Sequence, residues 1–277
     1  MPDIPLVAII SGIMLLILGV ILIIAWFRHR KQIGSYTRLG IVMGAILAAG
    51  YMIGALGMWF EAGETHIAYL AFELTFNFFW TIVVVATGTM LALAANLKPF
   101  PLIRPRFGIP DTGESVSLPG LPAPVAGWRS IAAPVALLVA AAFGYTVLVL
   151  YIFEWEPGIA TPIMAGVDLE RLNPWSPFLL LALACVSIVE ELTFRLAIQN
   201  QLARMFKWEN GKYWLAIVVT TLLWTFVHAG AINPDWVKFV QIFPLGLALG
   251  WMARKHGIES CLAAHALLNV TLVLLPA

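Results

Sequence analysis

The sequence predicts an all-α fold, a polytopic membrane bundle of about eight transmembrane helices. Two observations lead to this prediction. Hydrophobic residues make up 61% of the 277 positions and charged residues 11%, whereas ordinary soluble domains carry about 25% charged residues. The apolar residues also fall into uninterrupted runs of about 20 residues, the length of helix that crosses the hydrocarbon core of a bilayer.

Eight runs meet this length criterion. In chain order they are Pro5–Phe27, Leu39–Phe60, Ile67–Leu97, Ile131–Phe153, Pro177–Met205, Tyr213–Ile232, Val237–Ala253 and Ile258–Leu275. The first run has the apolar character of a signal peptide, but its basic cluster RHRK follows the run instead of preceding it. We therefore interpret it as a retained span whose N-terminus lies outside.

Charge placement predicts the orientation, because Lys and Arg in short loops accumulate on the cytoplasmic side. Basic residues follow the first, third, fifth and seventh runs: Arg28, Arg30, Lys31 and Arg38; Lys98, Arg104, Arg106 and Arg129; Arg204, Lys207 and Lys212; Arg254 and Lys255. The intervening loops are acidic, with Arg171 and Lys238 as their basic members. The N- and C-termini are predicted outside, and the loop Lys98–Arg129 in the cytoplasm.

Composition also divides the chain. Residues 98–130 are rich in proline and glycine and predict a cytoplasmic linker, better explained as a tether than as a binding motif. Before it, residues 1–97 form a three-span membrane segment with the intramembrane acid Glu73 and the amide Asn77. After it, residues 131–277 contain most of the intramembrane polar residues and form the predicted functional core.

The fifth run, PFLLLALACVSIVEELTFRLAI, contains Glu190, Glu191 and Arg195. Charges at bilayer depth cost several kcal/mol each, so such a cluster indicates function. Glu191 and Arg195 are four residues apart and can pair on one helix face. Glu190 points to another side of the helix and needs a partner elsewhere.

Two further runs supply candidate partners. The sixth ends LLWTFVHAG, with Trp224 and His228 one turn apart, and the eighth contains CLAAHALLNV, with His265 and Asn269 one turn apart. Polar groups on three spans can satisfy one another only by converging inside the bundle. A carboxylate beside an imidazole can take a proton from water, and a second imidazole with an amide can stabilise an oxyanion.

This combination predicts a hydrolase for amide bonds that uses neither a serine nor a cysteine nucleophile. Cys185 and Cys261 both lie in apolar runs, where a thiol behaves as a small hydrophobic group, and no redox role is inferred.

Three motifs, EELTFR (Glu190 to Arg195), WTFVH (Trp224 to His228) and HALLN (His265 to Asn269), resemble the EExxxR, FxxxH and HxxxN motifs of one protein family. It is the CAAX protease and bacteriocin-processing intramembrane endopeptidase family, which includes the type II CAAX prenyl endopeptidases and the Abi proteins. The resemblance extends over about Phe178 to Leu275. Trp224 replaces the usual phenylalanine of the second motif.

The resemblance implies roles for the residues that match. Glu190 would be the catalytic base that activates water, His228 would assist it, and His265 with Asn269 would form the oxyanion site. The supporting residues would be Glu191, Arg195 and Trp224. Family members are discussed both as glutamic and as metal-dependent peptidases. A metal-free mechanism is favoured because the HExxH motif is absent, while Glu190, His228 and His265 are the residues that could hold zinc.

The implied partners are the lipid bilayer and a peptide or membrane-protein substrate. A prenylated C-terminus, a secreted-peptide leader and a membrane-protein segment all fit the motifs. The charge rule places Glu190 and His228 nearer the outer face, whereas the CAAX resemblance implies cytosolic access. Nucleic acid is excluded as a partner because no basic stripe with interleaved aromatic residues is present.

Two other functions fit some of these observations. A small-solute transporter would also bury ionisable groups, and the seventh run is interrupted by Pro244, Gly246 and Gly250 like a discontinuous transporter helix. A non-catalytic membrane scaffold or immunity protein could keep the same motifs without turnover.

Overall fold

The chain forms a helical bundle in a computed structural model that describes residues 6–29, 33–63, 67–95, 97–103, 128–152, 163–164, 167–168, 173, 175–208, 210–229 and 235–273. The α-helices are α1 (Leu6–His29), α2 (Gly34–Ala62), α3 (Ile67–Ala94), α4 (Trp128–Ile152), α5 (Pro177–Glu191), α6 (Gln199–Met205), α7 (Tyr213–Val227), α8 (Asp235–His256) and α9 (Ile258–Val273). A π-helical segment, Leu192–Ile198, joins α5 to α6, and a 3-10 turn, Asn210–Lys212, precedes α7.

The helical fold class is confirmed, with one small addition that the sequence did not predict. A two-residue antiparallel pair, β1 (Ile163–Met164) and β2 (Val167–Asp168), lies between α4 and α5. Within the described residues, 5 helical stretches are long and apolar enough to cross a membrane: Tyr36–Ala62, Leu70–Ala94, Ile131–Val149, Pro177–Met205 and Trp236–His256. Gly19–His29, Tyr213–Val227 and Ile258–Val273 are shorter apolar helices. Each of these stretches overlaps one of the predicted runs.

Glycines let α2 approach both α3 and α5 closely. A Cβ on Gly40 would lie 2.9 Å from the backbone of Ile82, and one on Gly54 would lie 2.9 Å from the carbonyl oxygen of Phe178. A Cβ on Gly57 would overlap the Phe178 ring. Small residues at helix contacts are typical of membrane bundles, where close packing replaces the hydrophobic effect as the main source of association. Helix α2 therefore packs directly against α5, the helix that carries the two glutamates, and α3 packs against α2 and against the π-helical segment.

The seventh run forms one continuous helix. Pro244 lies inside α8, which runs from Asp235 to His256. The interpretation of this run as a broken helix of the transporter type is therefore wrong. A Cβ on Gly246 would lie 2.6 Å from the Thr221 side chain, so this glycine instead allows α8 to approach α7.

The first part of the predicted linker is held against the turn between α8 and α9. The backbone N–H groups of Leu102 and Ile103 donate to the carboxylate of Glu259 at 2.7 and 2.8 Å, and the Ile258 N–H donates to the carbonyl oxygen of Pro99 at 2.8 Å. Gly257, between the two helices, has φ +87°, a left-handed conformation that suits glycine. Residues 104–127 of the predicted linker lie outside the described residues, whereas residues 128–130 belong to α4. The proposed domain boundaries stay a prediction.

Candidate active site

The two adjacent glutamates lie where α5 changes into the π-helical segment. Ser176 caps the start of α5 by accepting a hydrogen bond from the Leu179 N–H at 3.3 Å, and Pro177 occupies the first turn. At the far end of the π-helical segment, the N–H of Gln199 donates to the carbonyl oxygen of Phe194, five residues back. Such π turns occur frequently at functional sites. All residues from 191 to 200 are buried.

Glu191 is the centre of a buried polar cluster. Its Oε2 lies 3.3 Å from Arg195 Nε and accepts from the Cys261 thiol at 2.8 Å, and its Oε1 lies 2.8 Å from His265 Nδ1. The side chains of Glu191 and Arg195 are both 0% exposed. The structure thus contains the pair that the four-residue spacing predicts. Cys261 lies in the hydrophobic core, as expected from its apolar run, and its thiol in addition donates a hydrogen bond to Glu191.

The Arg195 guanidinium lies against an aromatic face. Its Cζ is 5.1 Å from the centroid of the Trp224 ring. A Cβ on Gly246 of α8 would lie 3.2 Å from Arg195 Nη2, so the glycine leaves room for the guanidinium. In the described part of the chain, no nitrogen of Arg195 has a hydrogen-bond partner. Its charge is therefore balanced by the Glu191 carboxylate and the indole face.

Glu190 forms a second, more accessible arrangement with α7. The Trp224 Nε1–H donates to Glu190 Oε2 at 3.0 Å, and His228 Nε2 lies 4.0 Å from Glu190 Oε1. The side chains of Glu190 and His228 are 27% and 22% exposed. A substrate or a water molecule can therefore reach Glu190 and His228. The fully buried Glu191 is not accessible in this way.

The hydrogen bonding of His228 indicates which nitrogen faces the carboxylate as an acceptor. His228 Nδ1 lies 2.8 Å from the backbone oxygen of Trp224. A carbonyl oxygen only accepts, so Nδ1 carries the proton and Nε2 of the neutral ring is left as the acceptor. A water molecule to one side of the two groups can donate to His228 Nε2 and to Glu190 Oε1.

Trp224 joins the two arrangements. Its ring centroid lies 5.0 Å from that of His228 and 5.5 Å from that of His265, with edge-to-face geometry in both cases. The structure thus brings the polar residues of the fifth, sixth and eighth predicted runs to one place. They surround a single indole, with Glu190 and His228 on its accessible side and Glu191 and His265 on its buried side.

The third motif contacts α5 at two levels. His265 contacts Glu191, and Asn269 Nδ2 donates to Ser187 Oγ at 2.8 Å, which in turn donates to the Leu183 carbonyl oxygen at 2.7 Å. Because the Glu191 carboxylate accepts from His265 Nδ1, the neutral ring has an acceptor at Nε2. His265 can therefore donate to an oxyanion only in its doubly protonated form, whereas Asn269 retains a second N–H.

Ser187 and Cys261 are site residues that sequence reasoning missed. The signal was a four-residue spacing on both helices. Ser187, Glu191 and Arg195 repeat every four residues along one helix, and Cys261, His265 and Asn269 do so along the other. Residues four apart lie on the same helix face, so two polar stripes face each other in antiparallel register.

A polar network supports the end of the π-helical segment. The Tyr213 hydroxyl donates to Asn200 Oδ1 at 2.7 Å, and Asn200 Nδ2 donates to the Leu196 carbonyl oxygen at 2.7 Å. Gln199 Nε2 donates to the Tyr213 hydroxyl at 3.2 Å and to the Gly250 carbonyl oxygen at 3.3 Å. These bonds connect α6 to α7 and α8 and hold the turn that carries Arg195.

The side chains do not form a metal site as they are placed. Within the described residues, no three His, Cys, Asp or Glu side chains are arranged to hold a metal ion. In the zinc set considered from sequence, His265 Nδ1 is bound to Glu191, while Glu190 and His228 face each other.

Comparison with known proteins agrees with the motif resemblance. Residues 172–271 match the family model described as type II CAAX prenyl endopeptidase Rce1-like. We call this matched stretch the Rce1-like segment, because it is similar to that family. The chain is also 31% identical, over 91 residues, to the sporulation-killing factor biosynthesis protein SkfC of Bacillus subtilis (strain 168). That match covers 32% of this chain and 18% of SkfC, and no solved structure matches.

The Rce1-like segment contains all three motifs and begins near the start of α5. The resemblance predicted from Glu190 to Asn269 is therefore confirmed over this part of the chain. The match is a similarity to a family described as prenyl endopeptidases, and it includes every residue of the three motifs.

Proposed function

We propose that the chain is an intramembrane endopeptidase that hydrolyses a peptide bond of a membrane-associated protein or peptide. The observation that supports this most directly is the placement of Glu190 opposite His228, at 4.0 Å, with both side chains partly exposed. Glu190 is the general base that takes a proton from water, and His228 Nε2 accepts a hydrogen bond from the same water. The Trp224 indole N–H orients the carboxylate by donating to its other oxygen.

The reaction follows from these positions. The activated water attacks the scissile carbonyl carbon and its proton passes to Glu190, which then delivers the proton to the departing amine. Asn269 donates its second N–H to the oxyanion, and His265 joins it when doubly protonated, a form that the Glu191 carboxylate can stabilise. Glu191 and Arg195 hold His265 and Trp224 in place. This scheme needs no metal, and zinc dependence is the competing version.

In our proposal the chain crosses the membrane eight times, with the 98–130 segment in the cytoplasm and both termini outside. Contacts on successive helices support alternating directions. Along α5, Ser187 contacts Asn269 whereas Glu191 contacts His265, so α5 and α9 are antiparallel. His228 follows α7, at the opposite end of that helix from the basic end of α8. The charge rule would therefore open the site toward the outer face.

Apolar side chains near the opening suit a substrate that arrives within the lipid. Phe226, Val227, Trp236, Val240 and Leu267 are all exposed. A peptide that enters laterally through such a surface stays in an apolar environment until it reaches Glu190. Membrane-associated substrates are for this reason favoured over soluble ones.

The proposal can be tested by proteome-wide detection of new termini. Host membranes are incubated with the purified protein in proteoliposomes, and we expect new termini with the wild-type protein that are absent with Glu190→Gln. Glu73→Gln is the matched control, because Glu73 is another intramembrane carboxylate, hydrogen-bonded to Asn77 at 3.1 Å on α3, outside the site. A reporter peptide that spans an identified cleavage site then allows rates to be measured.

Two results would overturn parts of this proposal. New termini that persist with a folded Glu190→Gln variant would remove Glu190 as the base. Loss of turnover on strong chelation, restored by zinc, would replace the metal-free version by the zinc-dependent one.

A further inference from the structure

A small cavity lies beside Arg195, away from the groups that carry out the proposed reaction. Its polar wall is formed by Arg195, Gln199, Asn200 and Tyr213. The rest of its lining is apolar and comes from α3, α8, the start of α9 and the first part of the predicted linker. None of the four proposed catalytic residues lines it. The cavity leaves about 10 Å³ for the centre of a water molecule, which is close to the smallest volume that holds one water.

Two polar side chains at this cavity lack hydrogen-bond partners. Among the described residues, no nitrogen of the Arg195 guanidinium has a partner, and neither has Gln199 Oε1. Arg195 is 1% exposed and Gln199 is 0% exposed, so bulk water does not reach them. Folded proteins rarely leave a buried polar group unpaired, because the group has lost its hydration without compensation, and the cost is larger for a charged group. These orphaned atoms therefore indicate a bound molecule.

The orientation of the Gln199 amide follows from its other bonds. Its Nε2 donates to the Gly250 carbonyl oxygen at 3.3 Å and to the Tyr213 hydroxyl at 3.2 Å. The carbonyl oxygen only accepts, so the amide nitrogen faces it, and the amide oxygen is the atom left without a donor.

Two glycines of α8 lie next to the unpaired atoms. A Cβ on Gly246 would lie 3.2 Å from Arg195 Nη2, and one on Gly250 would lie 2.8 Å from Gln199 Oε1. Residues four apart on a helix have Cβ atoms about 5–6 Å apart. A water that makes two hydrogen bonds of about 2.8 Å joins atoms up to about 5.6 Å apart. The guanidinium and the amide oxygen are thus neighbours along one face of α8, at a spacing that suits one bridging water.

The chemistry of the unpaired atoms selects the kind of molecule. The guanidinium only donates, whereas Gln199 Oε1 only accepts, so the occupant must both accept and donate. An anion would satisfy Arg195 but would face the amide oxygen, and the Arg195 charge already has the Glu191 carboxylate at 3.3 Å. A cation would be repelled by the guanidinium. Water meets both requirements and fits the volume.

We propose that this cavity is a binding site for one ordered water molecule, which accepts from the Arg195 guanidinium and donates to Gln199 Oε1. The water gives the buried guanidinium a hydrogen-bond partner. It also joins Arg195 to the polar network of Gln199, Asn200 and Tyr213 that supports the end of the π-helical segment. This inference concerns the architecture behind the proposed site and does not depend on the proposed hydrolysis.

Radiolytic hydroxyl labelling tests for water beside a buried tyrosine. An X-ray pulse converts water into hydroxyl radicals, and a radical formed from a bound water adds to the nearest aromatic ring before it can diffuse away. The full chain is irradiated in nanodiscs and digested for mass spectrometry. Tyr213 is only 2% exposed and lines the cavity, and we expect it to be hydroxylated. Tyr51 is the matched reference, since it is 6% exposed and does not line the cavity, and it should stay unlabelled.

Two pairs of variants connect the labelling to the cavity. Ala92→Val adds volume to the lining without changing its polar wall, and it should reduce Tyr213 labelling to the reference level. Ala86→Val is its control, because Ala86 is another buried alanine of α3 and does not line the cavity. Gln199→Met removes the acceptor and should have the same effect as Ala92→Val. Gln201→Met is the second control, at a buried position of α6 outside the lining, and it should leave the labelling unchanged.

Three results would overturn the proposal. The first is a folded wild-type protein in which Tyr213 is labelled no more than Tyr51, whether the cavity is dry or a side chain outside the described residues, such as Asn96, fills it. The second is labelling of Tyr213 that persists in both Ala92→Val and Gln199→Met. The third is a free energy of unfolding that rises when chloride replaces gluconate at constant ionic strength, and that no longer does so in Arg195→Met, because the occupant would then be an anion.

Discussion

Replacing each of the two adjacent glutamates by glutamine should separate catalysis from stability. Glu190→Gln removes the proposed base but keeps a side-chain oxygen that can accept from the Trp224 indole N–H. In the wild-type protein this hydrogen bond is 3.0 Å long. Because this side chain is 27% exposed, we expect the free energy of unfolding to change by less than about 1 kcal/mol. Turnover of the reporter peptide should be lost.

Glu191→Gln should have the opposite balance of effects. The change leaves the Arg195 guanidinium buried, with no carboxylate to neutralise it and no hydrogen-bond partner among the described residues. Breaking a buried ion pair by removing one partner costs about 3–5 kcal/mol. We therefore expect a loss of this size in the free energy of unfolding, measured by reversible SDS titration in mixed micelles.

A second substitution tests the cause of that loss. Replacing both members of a buried pair by uncharged groups of similar size is often neutral, because no unpaired charge remains. Glu191→Gln combined with Arg195→Met should recover most of the lost stability. Glu191→Gln variants that unfold like the wild-type protein, or a double variant weaker than the single one, would refute the assignment of Glu191 and Arg195 to a structural pair. A folded Glu190→Gln variant with full turnover would refute the catalytic assignment.

Two further predictions concern packing and the linker. Gly57→Ala should destabilise the protein by about 1–3 kcal/mol, because its Cβ would overlap the Phe178 ring. Gly144→Ala on α4 is the control: its Cβ would meet nothing within 4 Å, so the change should be neutral or stabilising by up to about 1 kcal/mol. Equal losses of stability in the two variants, measured by SDS titration, would contradict the close contact of α2 and α5. Glu259→Gln should speed amide exchange at Leu102 and Ile103, because one carboxylate oxygen is replaced by a donor, and unchanged exchange would show that Glu259 does not hold this segment.

The positions of the helices could be predicted because lipid imposes a length on every apolar run. The run Pro177–Met205 matches α5, the π-helical segment and α6 from end to end, and the run starting at Ile258 begins where α9 begins. The π-helical turn could not be predicted, since LTFRLAI has no residue that excludes α-helix. The segment also makes tertiary contacts that the sequence does not reveal, such as the Trp80 indole N–H donating to Thr193 Oγ1 at 2.8 Å.

Most residues of the candidate site could be predicted from the sequence, but fewer of the contacts between them could be. Charge in an apolar run marked Glu190, Glu191 and Arg195, and four-residue spacing marked the pair. Sequence alone could not show that His265 contacts Glu191, because the two residues are 74 positions apart and their contact depends on the register between α5 and α9.

The wide turn between α5 and α6 has a consequence for how this long helix meets its neighbours. A π turn takes up one residue more than an α turn, because its hydrogen bonds run to the fifth residue back. The side chains after Ile198 are thereby rotated relative to those before Leu192. In the first part of this helix, the face with Ser187 and Glu191 contacts α9. In its last part, Gln199 and Asn200 point toward Tyr213 at the start of α7. The extra residue rotates the second part of the helix about its axis relative to the first part. The two parts can therefore contact different neighbouring helices without a break between them.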